Sequence, residues 1–207
     1  MAREGNRSGA GTAERGPGRK RDEATRQAIL QAAFEILRAE GYGGFTMEAV
    51  AARSGAAKTT IYRWWPSKGA LAVDSFLAVY ERETPFPQSE SAVADLKAHL
   101  CQLARAFGSD TGRVLAGIVA AAQADPPTAD LYRGRVVEQR RIEGRRLLRR
   151  GVANGELRPD IDIDAALDAL YGAFYLRLLI RLGPCDAAWA ERLADTVLRG
   201  LRAEPGA

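Results

Sequence analysis

A short run of small and polar side chains has the chemistry to hold a phosphate group or the edge of a base. Ala57, Lys58, Thr59 and Thr60 follow one another, and Tyr62 comes two positions later. The ammonium and hydroxyl groups can donate hydrogen bonds to phosphate oxygens or base edges, and a thymine methyl group can pack on alanine or threonine. These residue types indicate a contact with DNA, whereas an ordinary polar surface is the alternative.

The spacing around this run predicts a helix-turn-helix arrangement. Thr46 offers an N-cap for a short helix that ends near Arg53, Gly55 lies in the turn, and a second short helix extends over residues 57–65. Glycine can take the left-handed conformation that ends the first helix, and Ile61 would point into the angle between the two helices. Such a pair inserts the N-terminal end of its second helix into the major groove.

A longer amphipathic helix and a basic segment precede this pair. Apolar residues recur at helical spacing over residues 29–37, Asp22 and Glu23 favour the helix start, and Gly41 is expected to end it. Residues 1–21 have almost no large apolar groups, so we predict a disordered basic arm. Its cations next to the helix are Arg15, Arg19, Lys20 and Arg21. They could enter a minor groove or follow the DNA backbone, or they could form a solubilising tail.

The distribution of charge agrees with a polyanion partner for the first part of the chain. Residues 1–80 carry 12 Lys and Arg against 8 Asp and Glu, which gives a net charge of +4, and residues 81–207 carry 18 of each. A local basic surplus favours phosphate contacts and counterion release. The sequence has no apolar run long enough to span a membrane and no secretion signal, so we predict a cytoplasmic protein.

The segment over residues 25–77 resembles the DNA-binding segment of TetR/AcrR-type transcriptional regulators. The resemblance is carried by "FTMEAVAARSGAAKTTIYRWWPSKGALAVDSF", where Thr46, Gly55, the run over 60–62 and Lys68 stand at the family's positions. Trp64 departs from the family's usual His or Tyr, although its indole N–H can still donate a hydrogen bond. The predicted DNA contacts are Thr46, Ala57, Lys58, Thr59, Thr60, Tyr62, Arg63, Trp64 and Lys68.

The rest of the chain predicts a larger helical domain, which makes the fold all-α. We place the helix-turn-helix domain at residues 22–80 and the second domain at residues 81–207. Its helices are expected at 92–107, 111–123, 127–154, 162–182 and 185–203. By resemblance, this domain binds a small-molecule effector among its helices, at His99, Leu103, Phe107, Ile118, Tyr132, Arg141, Phe174 and Tyr175. The same residues could instead be plain core. We predict no cofactor and no metal site.

The last two helices predict a subunit interface. Residues 165–180 are apolar nearly all round the helix, and the final helix carries a stripe formed by Trp189, Leu193, Val197 and Leu201. Two helices from each subunit could form a four-helix interface in a homodimer, or both helices could complete the domain core.

The helix that precedes these two is strongly basic, since residues 133–150 hold eight arginines. We interpret this run as a solvated helix face, with a second polyanion site as the alternative.

Together these features predict a homodimeric transcriptional repressor that a small-molecule ligand releases from a palindromic double-stranded DNA operator. An effector-free or architectural DNA-binding protein is one alternative. An enzyme with a basic accessory head is another, but the sequence offers no catalytic constellation. His99 and Cys101 are two residues apart on a predicted helix and therefore point to different sides. We therefore expect no enzymatic activity.

Overall fold

The computed structural model describes residues 17–202, with side chains from residue 22 onward. Within this range the chain forms ten α-helices and one π-helical segment, and no β-strand. They are α1 (Pro17–Gly44), α2 (Met47–Ser54), α3 (Lys58–Trp64), α4 (Lys68–Glu83), α5 (Ala92–Phe107), α6 (Asp110–Ala122), α7 (Pro126–Tyr132), the π-helical segment (Arg133–Val137), α8 (Glu138–Ala153), α9 (Ile163–Ile180) and α10 (Ala187–Arg199). The predicted all-α fold class is therefore confirmed. Across residues 17–202, none of the helices combines the length and apolarity needed to cross a membrane.

Helix α1 begins earlier than the sequence pattern predicted. It starts at Pro17, five residues before Asp22, and so includes residues 17–21 that we had assigned to the disordered arm. Proline fixes φ near its helical value at the first helical position, and the basic residues that follow are good helix formers. The remainder of the predicted arm, with Arg15, lies outside the described residues. At the other end, Gly41 has φ 68° and interrupts the helix, as predicted.

Helix α4 connects the helix-turn-helix unit with the second part of the chain. It packs against α1, α6 and α7. Its approach to α7 is close, because a Cβ atom on Gly69 would lie 1.8 Å from Thr128 Oγ1. Any larger side chain at position 69 would push the two helices apart. The helix runs on to Glu83, so the domain boundary that we placed after residue 80 falls within its last turn.

The second part of the chain is organised around α5, which α10 covers along its length. The start of α5 is capped from a distance by Glu156, which accepts hydrogen bonds from the backbone N–H groups of Ala92 (2.8 Å) and Val93 (3.1 Å) and from Ser91 Oγ (2.6 Å). Burial alone would raise the pKa of Glu156, but these hydrogen bonds outweigh it and lower the pKa to about 2. The ionised carboxylate thus stabilises the N-terminus of α5.

The helix predicted over residues 127–154 is continuous but not uniform. Backbone angles stay helical from α7 to α8, and the π-helical segment between them contains one wider turn. The spacing of apolar residues in the sequence does not reveal this wider turn, because the α-helices on both sides of it keep the ordinary α-helical spacing. π-helical turns inside α-helices occur frequently at functional sites.

Candidate functional site

The turn between α2 and α3 has the geometry that the sequence predicted. Thr46 Oγ1 accepts a hydrogen bond from the Ala49 N–H at 3.1 Å, and this bond caps α2. Gly55 takes the left-handed conformation with φ 69°, and its N–H donates to the Ala51 carbonyl at 3.0 Å. Ile61 is fully buried and fixes α3 against the rest of the unit. The first turn of α3 is consequently held in one orientation.

The predicted DNA contacts on α3 lie mainly on its exposed side. Ala57, Lys58 and Thr59 are exposed at the start of the helix, and Thr60 is half-buried. One turn later, Arg63 is exposed and Tyr62 has 47% of its surface accessible. Thr46 is also exposed, and its cap uses the oxygen as acceptor, so the hydroxyl group can still donate. These side chains are available to a partner that approaches the start of α3.

The two predicted lysines have different surroundings. Lys58 Nζ lies 2.9 Å from Glu48 Oε1, and both side chains are largely exposed. The hydrogen bond from Lys58 lowers the pKa of Glu48. Lys68, at the start of α4, is half-buried, with Nζ 4.5 Å from the centroid of the Tyr42 ring. A partner would therefore have to compete with Glu48 for Lys58, a pairing that we did not predict from the sequence.

The two tryptophans at the end of α3 also differ. Trp65 is 2% exposed, and its Nε1 donates a hydrogen bond to Asp74 Oδ2 at 2.8 Å. Trp64 is half-buried and packs edge-to-face on Trp65, with 5.7 Å between the ring centroids. The guanidinium group of Arg63 lies 5.3 Å from the centroid of the Trp64 ring. Trp65 thus anchors α3 in the core, and Trp64 forms the edge of the exposed surface.

Asp74 joins α3 to the π-helical segment. One carboxylate oxygen accepts the hydrogen bond from Trp65, and the other forms an ion pair with Arg135. The Asp74 side chain is only 14% exposed, whereas that of Arg135 is 45% exposed. The two residues that follow, Val136 and Val137, line a cavity in the second part of the chain. A chain of contacts therefore runs from the end of α3 to the wall of this cavity.

The cavity has a volume of about 300 Å³, close to the lower limit for small-molecule sites. Its lining residues are Tyr80, Phe107, Val136, Val137, Arg140, Arg141, Asp168, Tyr171, Gly172 and Tyr175. Of the eight predicted ligand residues, Phe107, Arg141 and Tyr175 belong to this lining. Tyr132 lies behind it and shares a hydrogen bond with Tyr175.

Three of the predicted ligand residues lie elsewhere. Leu103, Ile118 and Phe174 are fully buried in the packed core and are not part of the cavity wall. Their helical spacing correctly indicated an inward direction, but an inward side chain fills the core as readily as it borders a hollow. Conversely, the sequence did not lead us to two residues of the lining. Tyr80 lies on α4, which we assigned to the DNA-binding domain, and Tyr171 lies one helical turn before the predicted Phe174 and Tyr175.

His99 is a buried structural residue that supports the cavity wall. Burial lowers its pKa to about 4, so the imidazole is neutral at pH 7. Its Nδ1 lies 3.3 Å from the Pro85 carbonyl oxygen, which can only accept, so Nδ1 carries the proton. The hydroxyl group of Tyr171, 3.3 Å from Nε2, must then donate to the ring. His99 therefore orients Tyr171 but does not itself line the cavity.

The arginine run over residues 133–150 is only partly a solvated face. Arg133, Arg135, Arg146 and Arg149 are exposed, but Arg140, Arg141, Arg145 and Arg150 are half-buried. Arg141 is paired with both Asp164 (2.8 Å) and Asp168, and Arg150 is paired with the buried Asp95. The simple interpretation of the run as a solvated face is thus wrong for the half-buried members. Acids on α5 and α9 draw Arg141, Arg145 and Arg150 inward, and Arg140 donates a hydrogen bond to the Thr84 carbonyl oxygen.

Family models match both parts of the chain. The model described as "Bacterial regulatory proteins, tetR family" matches residues 29–74, and the model described as "Tetracyclin repressor-like, C-terminal domain" matches residues 86–197. The first match contains α2 and α3, and the second contains most of the cavity lining. Each model therefore covers one of the two structural features described above.

Individual relatives agree with these matches. The HTH-type transcriptional regulator YdeS of Bacillus subtilis is 37% identical over 186 residues, which are 90% of this chain and 94% of that protein. The DNA-binding transcriptional repressor TetR of Mycobacteroides abscessus is 31% identical over 190 residues, with 90% and 98% of the two chains covered. The crystal structure of the TetR family transcription regulator SCO0332 superposes with a TM-score of 0.74 at 39% identity, and covers 85% of this chain and 97% of that one. The chain therefore belongs to the TetR family and is a DNA-binding transcriptional regulator.

Proposed function

We propose that the protein is a cytoplasmic, homodimeric repressor that binds a palindromic operator and leaves it when an effector occupies the cavity. The residues proposed to contact DNA are the predicted set on and around α3, with Ala57, Lys58, Thr59 and Thr60 at base edges or phosphates and Tyr62 and Lys68 near phosphates. The exposed position of the first turn of α3 over a buried Ile61 supports this assignment. No catalytic role is proposed for any residue.

The observation that carries the regulatory part of the proposal is the contact chain Trp65–Asp74–Arg135. Trp65 closes α3, and Arg135 belongs to the π-helical segment that provides two residues of the cavity wall. An effector that shifts this segment would change the position of Asp74 and, through Trp65, the orientation of α3. The effect on DNA is then a coupling free energy between two sites, which requires that the effector binds the DNA-incompetent arrangement more tightly.

The homodimer is proposed to form through α9. Its exposed large apolar residues are Leu176, Leu179 and Ile180, and Leu182 follows them, each with 42–62% of its surface accessible. Contiguous exposed apolar residues of this size mark interaction surfaces. We propose that the stripe on α10 completes the four-helix interface, since Trp189, Leu193 and Val197 pack partly on the protein's own core and keep part of their surface accessible. Light scattering should give the dimer mass for the wild type and the monomer mass for Leu179→Asp; a monomeric wild type would contradict the homodimer.

The repressor proposal is tested by DNase I footprinting on the DNA upstream of the protein's own gene. We expect protection of two half-sites about one helical turn apart, because a two-fold dimer presents two copies of α3. Binding should be specific, so that unlabelled DNA of scrambled sequence competes poorly at moderate salt. Protection that disappears with scrambled competitor would instead favour an architectural DNA-binding protein.

A further inference from the structure

Arg140 is a cation that has no carboxylate partner among the residues that the structure describes. It belongs to the lining of the cavity on α8. Its Nη1 donates a hydrogen bond to the Thr84 carbonyl oxygen at 2.7 Å, but its Nη2 is shielded from solvent and has no hydrogen-bond partner among the described residues. Within the same residues, no acid lies within ion-pair distance of this guanidinium group, whereas the neighbouring Arg141 has two. A buried donor without a partner is unfavourable, so this N–H group favours a ligand that supplies an acceptor.

The rest of the lining favours a flat, largely apolar molecule. Four aromatic rings border the space, those of Tyr80, Phe107, Tyr171 and Tyr175. The guanidinium group of Arg140 itself stacks 4.5 Å from the centroid of the Tyr80 ring. With about 300 Å³, the cavity has the volume of about ten water molecules in the liquid, which suits one or two fused rings with a short substituent. The charged residues of the lining are Arg140, Arg141 and Asp168. Arg141 and Asp168 form an ion pair with each other, so Arg140 is the one that would fix a charged end of a ligand.

We infer that the effector is a compact aromatic or similarly flat apolar molecule with one anionic group, such as a carboxylate, and that this group pairs with Arg140. The inference rests on the proposed function of the cavity as the effector site. The charge of the ligand would supply the acceptor that Nη2 lacks, after a small rotation of the side chain toward the cavity. Charge-assisted hydrogen bonds of a guanidinium to a carboxylate are short and directional.

The same pairing connects the ligand to α4. Thr84 is the residue directly after the last turn of α4, and its carbonyl oxygen is the only acceptor that Arg140 uses in the described structure. An anion that attracts the guanidinium group competes with this carbonyl oxygen. Occupation of the cavity therefore acts on the C-terminal end of the helix that carries Asp74. Arg140 would thus select the chemical class of the ligand and add a second contact between the cavity and α4, beside the one through Arg135 and Asp74.

The experiment uses the full-length protein and pairs of probes of nearly the same shape, in which a neutral amide replaces the carboxylate. The pairs are benzoate and benzamide, 2-naphthoate and 2-naphthamide, and 4-phenylbutanoate and 4-phenylbutanamide. Isothermal titration calorimetry should give, for at least one pair, a Kd for the carboxylate about tenfold or more below that of the amide. Arg140→Met should bring the two Kd values of that pair together, and Arg140→Lys should keep the preference for the carboxylate. Arg146→Met is the matched control, because Arg146 lies on the same helix, is 75% exposed and does not line the cavity.

Equal affinity for carboxylate and amide in every pair would overturn the inference. A preference that is as large in Arg140→Met as in the wild type would do the same. If thermal melting shows that Arg140→Met does not fold, the comparison of wild type with Arg140→Gln decides by the same criterion. Calorimetry needs no DNA, so the result is separate from the proposed function: a missing footprint would contradict the repressor proposal while a measured carboxylate preference stands.

Discussion

Replacing Asp74 by alanine should destabilise the protein, because it removes the acceptor of the buried Trp65 indole N–H group. The Nε1–H group of Trp65 can only donate, and Trp65 is 2% exposed, so Asp74→Ala leaves this group buried and unpaired. An unpaired buried donor costs about 1–3 kcal/mol. The ion pair with the half-exposed Arg135 adds at most about 1 kcal/mol. We therefore expect the free energy of unfolding to fall by about 1–4 kcal/mol, with a Tm several degrees lower.

Urea titration followed by tryptophan fluorescence measures this loss, at one fixed protein concentration because association contributes to apparent stability. Arg135→Gln is the matched variant, since it removes the ion pair and leaves the Trp65–Asp74 hydrogen bond in place. It should cost about 1 kcal/mol or less. If Asp74→Ala unfolded at the same urea concentration as the wild type, the buried hydrogen bond would not stabilise α3. If Arg135→Gln lost as much as Asp74→Ala, the argument from burial would fail.

Three further predictions concern charge and pH. Glu48→Gln removes the carboxylate that pairs with Lys58, so the variant should bind the operator severalfold more tightly than the wild type in fluorescence anisotropy. Weaker operator binding by the variant would contradict this prediction. The pKa of Glu156 is about 2 in the folded protein, so the stability that its carboxylate contributes is full above pH 4.5 and is lost as the pH falls toward 2. Glu156→Gln should lower the free energy of unfolding by about 1–2 kcal/mol at pH 7 and make it less dependent on pH between 4.5 and 2. Burial holds the pKa of His99 at about 4, below its ordinary 6.5, so protonation of the unfolded chain should lower the free energy of unfolding by about 3 kcal/mol from pH 6.5 to pH 4. If the free energy of unfolding of His99→Gln fell as steeply over the same pH range, His99 would not be the cause.

The local features of the helix-turn-helix unit were predictable because short-range rules determine them. The cap by Thr46, the left-handed Gly55 and the burial of Ile61 each depend on a few neighbouring residues. A proline at a helix start is also a short-range feature, and we could have used Pro17 to place the beginning of α1.

The cavity and its connection to α3 were not predictable in the same way, because they depend on contacts between residues far apart in the chain. Arg140 stands in a run of arginines that resembles a solvated face, and only its contacts with the Tyr80 ring and the Thr84 carbonyl oxygen, 56 or more residues away in the chain, hold it inward. Asp74 and Arg135 are 61 residues apart, and the sequence gives no sign that they meet. Helical spacing identified Leu103, Ile118 and Phe174 as inward residues, but it could not tell a filled interior from a hollow one.

The most direct test of DNA recognition by α3 is the operator affinity of Lys58→Ala, measured by fluorescence anisotropy on the footprinted site together with the Tm of the same sample. Lys58 is exposed, and its ammonium group pairs with the exposed Glu48, so its removal should leave the Tm within about one degree of the wild type. Operator binding should weaken about tenfold or more, because each recognition helix loses a contact with about 1–3 kcal/mol of binding free energy. An unchanged operator affinity with an unchanged Tm would contradict the assignment of the first turn of α3 to DNA.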